Sequence, residues 1–197
     1  MNWSCFATVG VVFAVALSAC STTESGGVTY DSAANTTIVT GRQMTVQPLA
    51  GPVRTLFLKA EISPGETGLY LVVLYLSVDG WLSADHVWDS SGNKLVGLQG
   101  SNETVQIEFN QVTKEIYYIP LTRRYLEAHR RSGFSIFLGG TKSVVAASQP
   151  ARFVDEFLTS LNGTERKLSG EVIVKKLIPS EPRPTQKHHR RLRRHVL

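Results

Sequence analysis

The chain has 197 residues, 42% of them hydrophobic and 19% charged, and a formal charge of +5. It holds two cysteines, at positions 5 and 20, so everything beyond residue 20 is without disulfide or thiol chemistry and depends on core burial for stability. The positive charge sits at the C-terminus, where Arg183, Lys187, Arg190, Arg191, Arg193 and Arg194 face one acid, Glu181. The rest of the chain is formally neutral, which argues against a nucleic-acid-binding face on the body.

Phe6 to Leu17 is apolar or small throughout. It is shorter than the roughly 20 residues that a helix needs to span a bilayer. It has the length of a signal-peptide core, and Ser18 and Ala19 supply small residues before a cleavage point. The run Leu17-Ser18-Ala19-Cys20 resembles the lipobox of bacterial lipoprotein precursors. The five residues before the apolar stretch contain no Lys or Arg, which departs from that pattern. The resemblance implies cleavage after Ala19 and a diacylglyceryl group on the Cys20 thiol, with acylation of the new amine. Two or more acyl chains hold a protein stably at a membrane, at about 0.8 kcal/mol per buried CH₂. By the family's sorting rule Ser21, not being Asp, implies the outer membrane of a two-membrane bacterium, with the body facing the periplasm.

Residues 20–36 are rich in Ser, Thr, Gly and Asn and read as the lipidated Cys followed by a flexible tether. The body, 37–178, reads as one β-rich domain with roughly 140 residues, enough for a single core. Thr37 to Val39 and the stretch around Leu56-Phe57-Leu58 read as strands, with a turn at Ser63-Pro64-Gly65. Leu69 to Val78 is apolar on both alternating faces, which predicts a central strand covered on each side. Asp79-Gly80 then predicts a hairpin into a strand over Trp81 to Trp88. Asp89-Ser90-Ser91-Gly92-Asn93 reads as a turn into Lys94-Leu95-Val96. Val105, Ile107 and Phe109 alternate with polar residues as a half-buried strand, and Glu115 to Leu121 follows as another.

Thr122 predicts the cap of a helix that runs to about Arg131 and stops at Gly133. Leu121, Tyr125, Leu126 and His129 would share its inner face. Phe134 to Leu138 reads as a short strand. Ser148 and Pro150 start a second helix that ends at Asn162-Gly163, with Phe153, Val154, Phe157, Leu158 and Leu161 as its apolar stripe. Glu171 to Leu177 reads as a last strand. Residues 179–197, proline-led and basic, read as a disordered tail. The fold class is α+β, a mainly antiparallel sheet or sandwich with two short helices.

Asp85-His86-Val87-Trp88-Asp89 is the densest group of titratable residues, and it would be the site of an envelope hydrolase. Neighbours on a strand point to opposite faces, so a structural role is favoured. No nucleophile elbow, His-Glu-x-x-His or phosphate loop occurs, and Gly139-Gly140-Thr141-Lys142 lacks the glycine spacing of one. His86 and His129 are the only histidines outside the tail, too few for a His-rich metal site. Trp81, Trp88, Tyr70, Tyr75, Tyr117 and Tyr118 are candidates for a groove but are better read as packing. Arg123, Arg124, Arg130 and Arg131, with Lys142, and Arg190, Arg191, Arg193 and Arg194 in the tail are the candidate binding residues for an anionic lipid or lipopolysaccharide.

The function expected is a lipid-anchored, non-enzymatic accessory or assembly component that binds another envelope protein. The alternatives are a binding module for lipid, lipopolysaccharide or cell-wall glycan, and the hydrolase. No cofactor, catalytic residue, metal or nucleic-acid partner is expected.

Overall fold

The computed structural model describes residues 20–48, 51–107, 110–141 and 143–177, with the backbone alone described over 20–23 and 171–177. The signal segment 1–19, Phe109, Lys142 and the basic tail lie outside the described residues. Residues up to Thr164 form one compact unit, and Glu165–Leu197 a second.

The elements follow the order β1 (Cys20–Glu24), β2 (Gly27–Asp31), β3 (Thr36–Thr40), β4 (Gln43–Gln47), β5 (Val53–Ser63), β6 (Glu66–Ser77), β7 (His86–Asp89), β8 (Lys94–Leu95), β9 (Leu98–Ile107), β10 (Asn110–Pro120), α1 (Arg123–Ala128), β11 (Phe134–Gly139), β12 (Val144–Gln149) and α2 (Ala151–Leu177). Two antiparallel sheets result. The larger has eight strands in the order β1-β4-β5-β6-β10-β9, with β3 also on β5 and β2 on β3. The smaller runs β12-β11-β7-β8. The chain is thus α+β and mainly antiparallel sheet, as its patterning predicts.

One core joins the two sheets and both helices. Leu56, Leu58, Leu69, Leu71, Val73, Tyr117 and Ile119 of the large sheet meet Val87, Ile136, Leu138 and Val145 of the small one. Leu126 of α1 and Val154, Phe157, Leu158 and Leu161 of α2 complete it. The stripe read along the second helix therefore packs as expected. Thr122 caps α1, its hydroxyl accepting from the Tyr125 amide at 3.1 Å. Gly133 ends the turn after α1 at φ 69°, and a Cβ there would lie 2.4 Å from the Gln149 carbonyl oxygen. Glycine lets the α1 turn press against the start of α2.

Three local expectations are corrected by the tertiary arrangement. Residues 20–36, read as a flexible tether, contain β1 and β2, paired with β4 and β3 from Cys20↔Gln47 onward. Their Thr-rich sequence is as good a strand as a linker once an open sheet edge is beside it. Asp79-Gly80 does not make a hairpin. Both sides of β6 are already occupied, by β5 and β10. The chain therefore leaves the large sheet and reaches the small one through Trp81–Asp85, so the strand expected from Trp81 begins only at His86. Glu171 to Leu177, read as a strand, continues α2, which runs through Asn162, Gly163 and Gly170. An existing helix adds one hydrogen bond per residue, whereas Val172-Ile173-Val174 as a strand would need a partner.

Candidate functional site

The alternation in β5, β6 and β10 gives the large sheet two apolar faces, and the core covers one. On the other, cross-strand register places Phe57, Val72 and Tyr118 in one row and Thr55, Leu74 and Ile116 in the next. Val53 and Leu76 continue it on one side and Tyr70 on the other. Val72 is buried by its neighbours, at 3% exposure. Phe57, Tyr70, Leu74, Leu76, Ile116 and Tyr118 each keep part of their surface in solvent. None of these residues belongs to the core or packs against it. An antiparallel sheet with one solvated face normally turns polar side chains outward. Here the outer face is aliphatic and aromatic.

The rings on this face lie against the sheet. Tyr118 and Tyr70 meet edge to face at 6.1 Å. A Cβ on Gly100 would strike the Tyr118 ring, and one on Gly68 the Tyr70 ring, so glycines make room for both. Lys59 holds its ammonium 5.4 Å from the Tyr118 centroid and 2.6 Å from the Glu61 carboxylate. Thr45 and Thr55 share a hydroxyl hydrogen bond of 2.9 Å toward the β4 side. The result is an apolar centre bordered by two ion pairs, Lys59–Glu61 on one side and Lys114–Glu103 toward β9 on the other.

At one end of this face lies β9, the terminal strand of the sheet. Nearly every residue of β9 is exposed, including Leu98 at 51% and Ile107 at 48%. The half-buried alternation expected around Val105 and Ile107 is reduced to Val105 alone. Edge strands with one unpaired row of backbone groups are templates for a further strand.

Beneath the sheet, Glu115 is fully buried, and the ion pairs among the described residues do not include it. Its carboxylate accepts from the Leu82 amide at 2.5 Å, the Ser83 amide at 3.0 Å and the Tyr117 hydroxyl at 2.6 Å. Tyr117 in turn accepts from the Ala84 amide at 2.9 Å. Successive amides around Ser83, at φ 48°, close on the charge as a backbone nest. Burial and the neighbouring carboxylate push the Tyr117 hydroxyl well above the usual phenol range. The network ties the crossover between the sheets to β10.

The Asp85/His86/Asp89 group does not converge. Asp85 and His86 bond to each other at 2.6 Å, both 67% exposed. Asp89 is buried and accepts from the Ser91 and Asn93 amides at 2.9 Å and from the Asn93 side chain at 2.9 Å. The Asn93 side-chain hydrogen bond is the main cause holding the Asp89 carboxyl below its ordinary range. Asp89 shapes the turn between β7 and β8, while His86 points to solvent. Among the described residues no group of three or more His, Cys, Asp or Glu stands where it would hold a metal ion.

The aromatic candidates scatter. Tyr75 and Tyr117 are in the core, Tyr70 and Tyr118 on the outer face, and Trp88 stacks on Phe137 at 5.8 Å. The helix expected to run to about Arg131 ends at Ala128, so Arg130 and Arg131 lie in the turn beyond α1, and the four arginines separate. Arg123 donates to Asn162 at 2.7 Å, and Arg130 pairs with Asp155 at 2.5 Å. Arg124 and Arg131 are exposed. Arg190, Arg191, Arg193 and Arg194 lie outside the described residues. Sequence reasoning overlooked Phe57 and Ile116 as surface and Glu115 as a brace. The two-faced apolar run over Leu69 to Val78 was the available signal for the first.

No family model, curated protein or solved structure matches the chain. No described helix is long and apolar enough to cross a membrane.

Proposed function

We propose that the protein is a lipid-anchored, non-enzymatic accessory component of a bacterial cell envelope, docking another envelope protein on the outer face of its large sheet. The observation that carries this reading is that second apolar face, centred on Phe57, Leu74, Ile116 and Tyr118 and left outside the core. Part-exposed apolar residues gathered in adjoining rows favour an interaction site over a solvated sheet face. The adjoining edge of β9, unpaired among the described residues, favours a polypeptide partner, because another chain can use an apolar face and a row of backbone groups together. The anchor is proposed to be Cys20, on the strength of the lipobox resemblance, and the location the outer membrane facing the periplasm. The first residue of β1 would then carry the lipid, which places the sheet edge directly at the membrane with no spacer.

The test compares full-length, detergent-solubilised protein with Leu74→Lys and Ile116→Lys variants, each recovered from the native envelope by affinity purification. A stoichiometric protein partner that the wild type holds and both variants lose is the expected result. Thermal melts on the same samples separate loss of docking from loss of fold. Equal recovery of the partner by folded variants would reject the outer face as the docking surface. Detergent-phase partition of Cys20→Ser tests the anchor separately, and the variant is expected to move to the aqueous phase.

A further inference from the structure

A depression of about 480 Å³ opens beside the start of α2, lined by Arg130, Arg131, Ala151, Arg152 and Asp155. We propose that it is a binding site for a phosphate group, gripped by the Arg131 and Arg152 guanidiniums. Three arginines line it against one aspartate. Arg130 is already committed: its Nε lies 2.5 Å from Asp155 and its Nη1 3.9 Å from Glu127. That pair fixes one wall and offsets one charge.

Arg131 and Arg152 are both exposed and have no carboxylate partner among the described residues. Arg152 is nevertheless oriented, its guanidinium 4.7 Å from the Phe153 ring centroid, and Phe153 is buried. Guanidinium forks match phosphate oxygens bidentately, which a solvated lysine does not. The start of α2 adds to the same field. Its first turn holds no acid and Pro150 precedes it, and the one carboxylate nearby, Asp155, is paired with Arg130. Gly133 is what allows the approach, since any Cβ there would collide with the backbone of Gln149 and Ala151. Two elements are thus pressed together at the point where unneutralised positive charge accumulates.

The site is independent of the outer sheet face, so each proposal can fail alone. Full-length, detergent-solubilised protein is titrated with inorganic phosphate at constant ionic strength while backbone amide resonances are followed. Saturable shifts at residues 130–133 and 151–155 are expected. An Arg131→Gln/Arg152→Gln double variant should bind about tenfold more weakly or worse. Arg124→Gln, an exposed arginine outside the depression, should bind as the wild type does. Vesicles of phosphatidylcholine with and without phosphatidic acid identify the source. Retention that needs phosphatidic acid and the two arginines assigns the site to a lipid head group, whereas saturation by free phosphate alone assigns it to a soluble phosphate. Shifts confined to 179–197, unchanged affinity in a folded double variant, or no saturation would each overturn the proposal.

Discussion

Replacing Glu115 tests the brace that joins the two sheets. Glu115→Ala removes the acceptor of the Leu82 and Ser83 amides and of the Tyr117 hydroxyl, and leaves a cavity in a site of zero exposure. Each buried donor left without a partner costs about 1–3 kcal/mol. Three such donors therefore cost about 3–9 kcal/mol before the cavity is counted, less whatever local relaxation recovers. A domain of this size is stable by only about 5–15 kcal/mol, so the variant should melt far below the wild type or fail to fold. Glu115→Gln keeps the shape. Its amide nitrogen must face either the Leu82 amide or the Ser83 amide and Tyr117 hydroxyl, so at least one buried donor still loses its acceptor. The expected loss is about 2–3 kcal/mol, and the variant should remain folded. Urea unfolding followed by tryptophan fluorescence and far-ultraviolet circular dichroism gives both values. Adding Tyr117→Phe to each should produce strongly non-additive losses, because the groups share one network. A Glu115→Ala protein within about 0.5 kcal/mol of the wild type would refute the brace, since that is the range of an ordinary surface substitution.

Acid should act through the β7–β8 turn. The Asp89 carboxyl is held below the ordinary aspartate value of 3.8, chiefly by the Asn93 side-chain hydrogen bond, so its contribution is full above that pH and is lost as pH falls through the lower folded value. Asp89→Asn should flatten the fall of melting temperature below about pH 4, and an unchanged acid limb would show that other carboxyls carry it. Gln149 ends β12 at 2% exposure, and neither side-chain polar atom has a protein partner among the described residues. Gln149→Met, similar in volume and without those polar atoms, should raise stability by about 1–3 kcal/mol in the same urea assay. A loss of stability would show that the amide is satisfied in solution.

Local chemistry was fully legible where neighbours in the chain settle it. The Thr122 cap, the Asp89–Asn93 turn and the stripe from Phe153 to Leu161 each depend on residues within a few positions, and each is where the sequence puts it. The two-faced apolar pattern of Leu69 to Val78 also identified the central strand. What the pattern alone cannot say is what covers the second face, and in this chain the core covers only one. The outer surface was therefore encoded in the sequence but visible only as an anomaly in the fold.

Where partners are remote, tertiary structure decided. Asp79-Gly80 satisfies the local rule for a hairpin, yet Glu115 captures the Leu82 and Ser83 amides from more than thirty residues away, and the chain crosses to the other sheet instead. Thr-rich residues after Cys20 become β1 and β2 because β4 and β3 offer them an edge. Arg131 and Arg152 are twenty-one positions apart, and only the close packing at Gly133 brings them to one depression. The sequence by itself determined the strand-rich class, the Thr122 cap of α1 and the charge placement, because these rest on composition, periodicity and short-range hydrogen bonding. Sheet order, the face left outside the core and the two arginines of one depression rest on contacts between distant segments, whose energies are comparable to the local preferences they override.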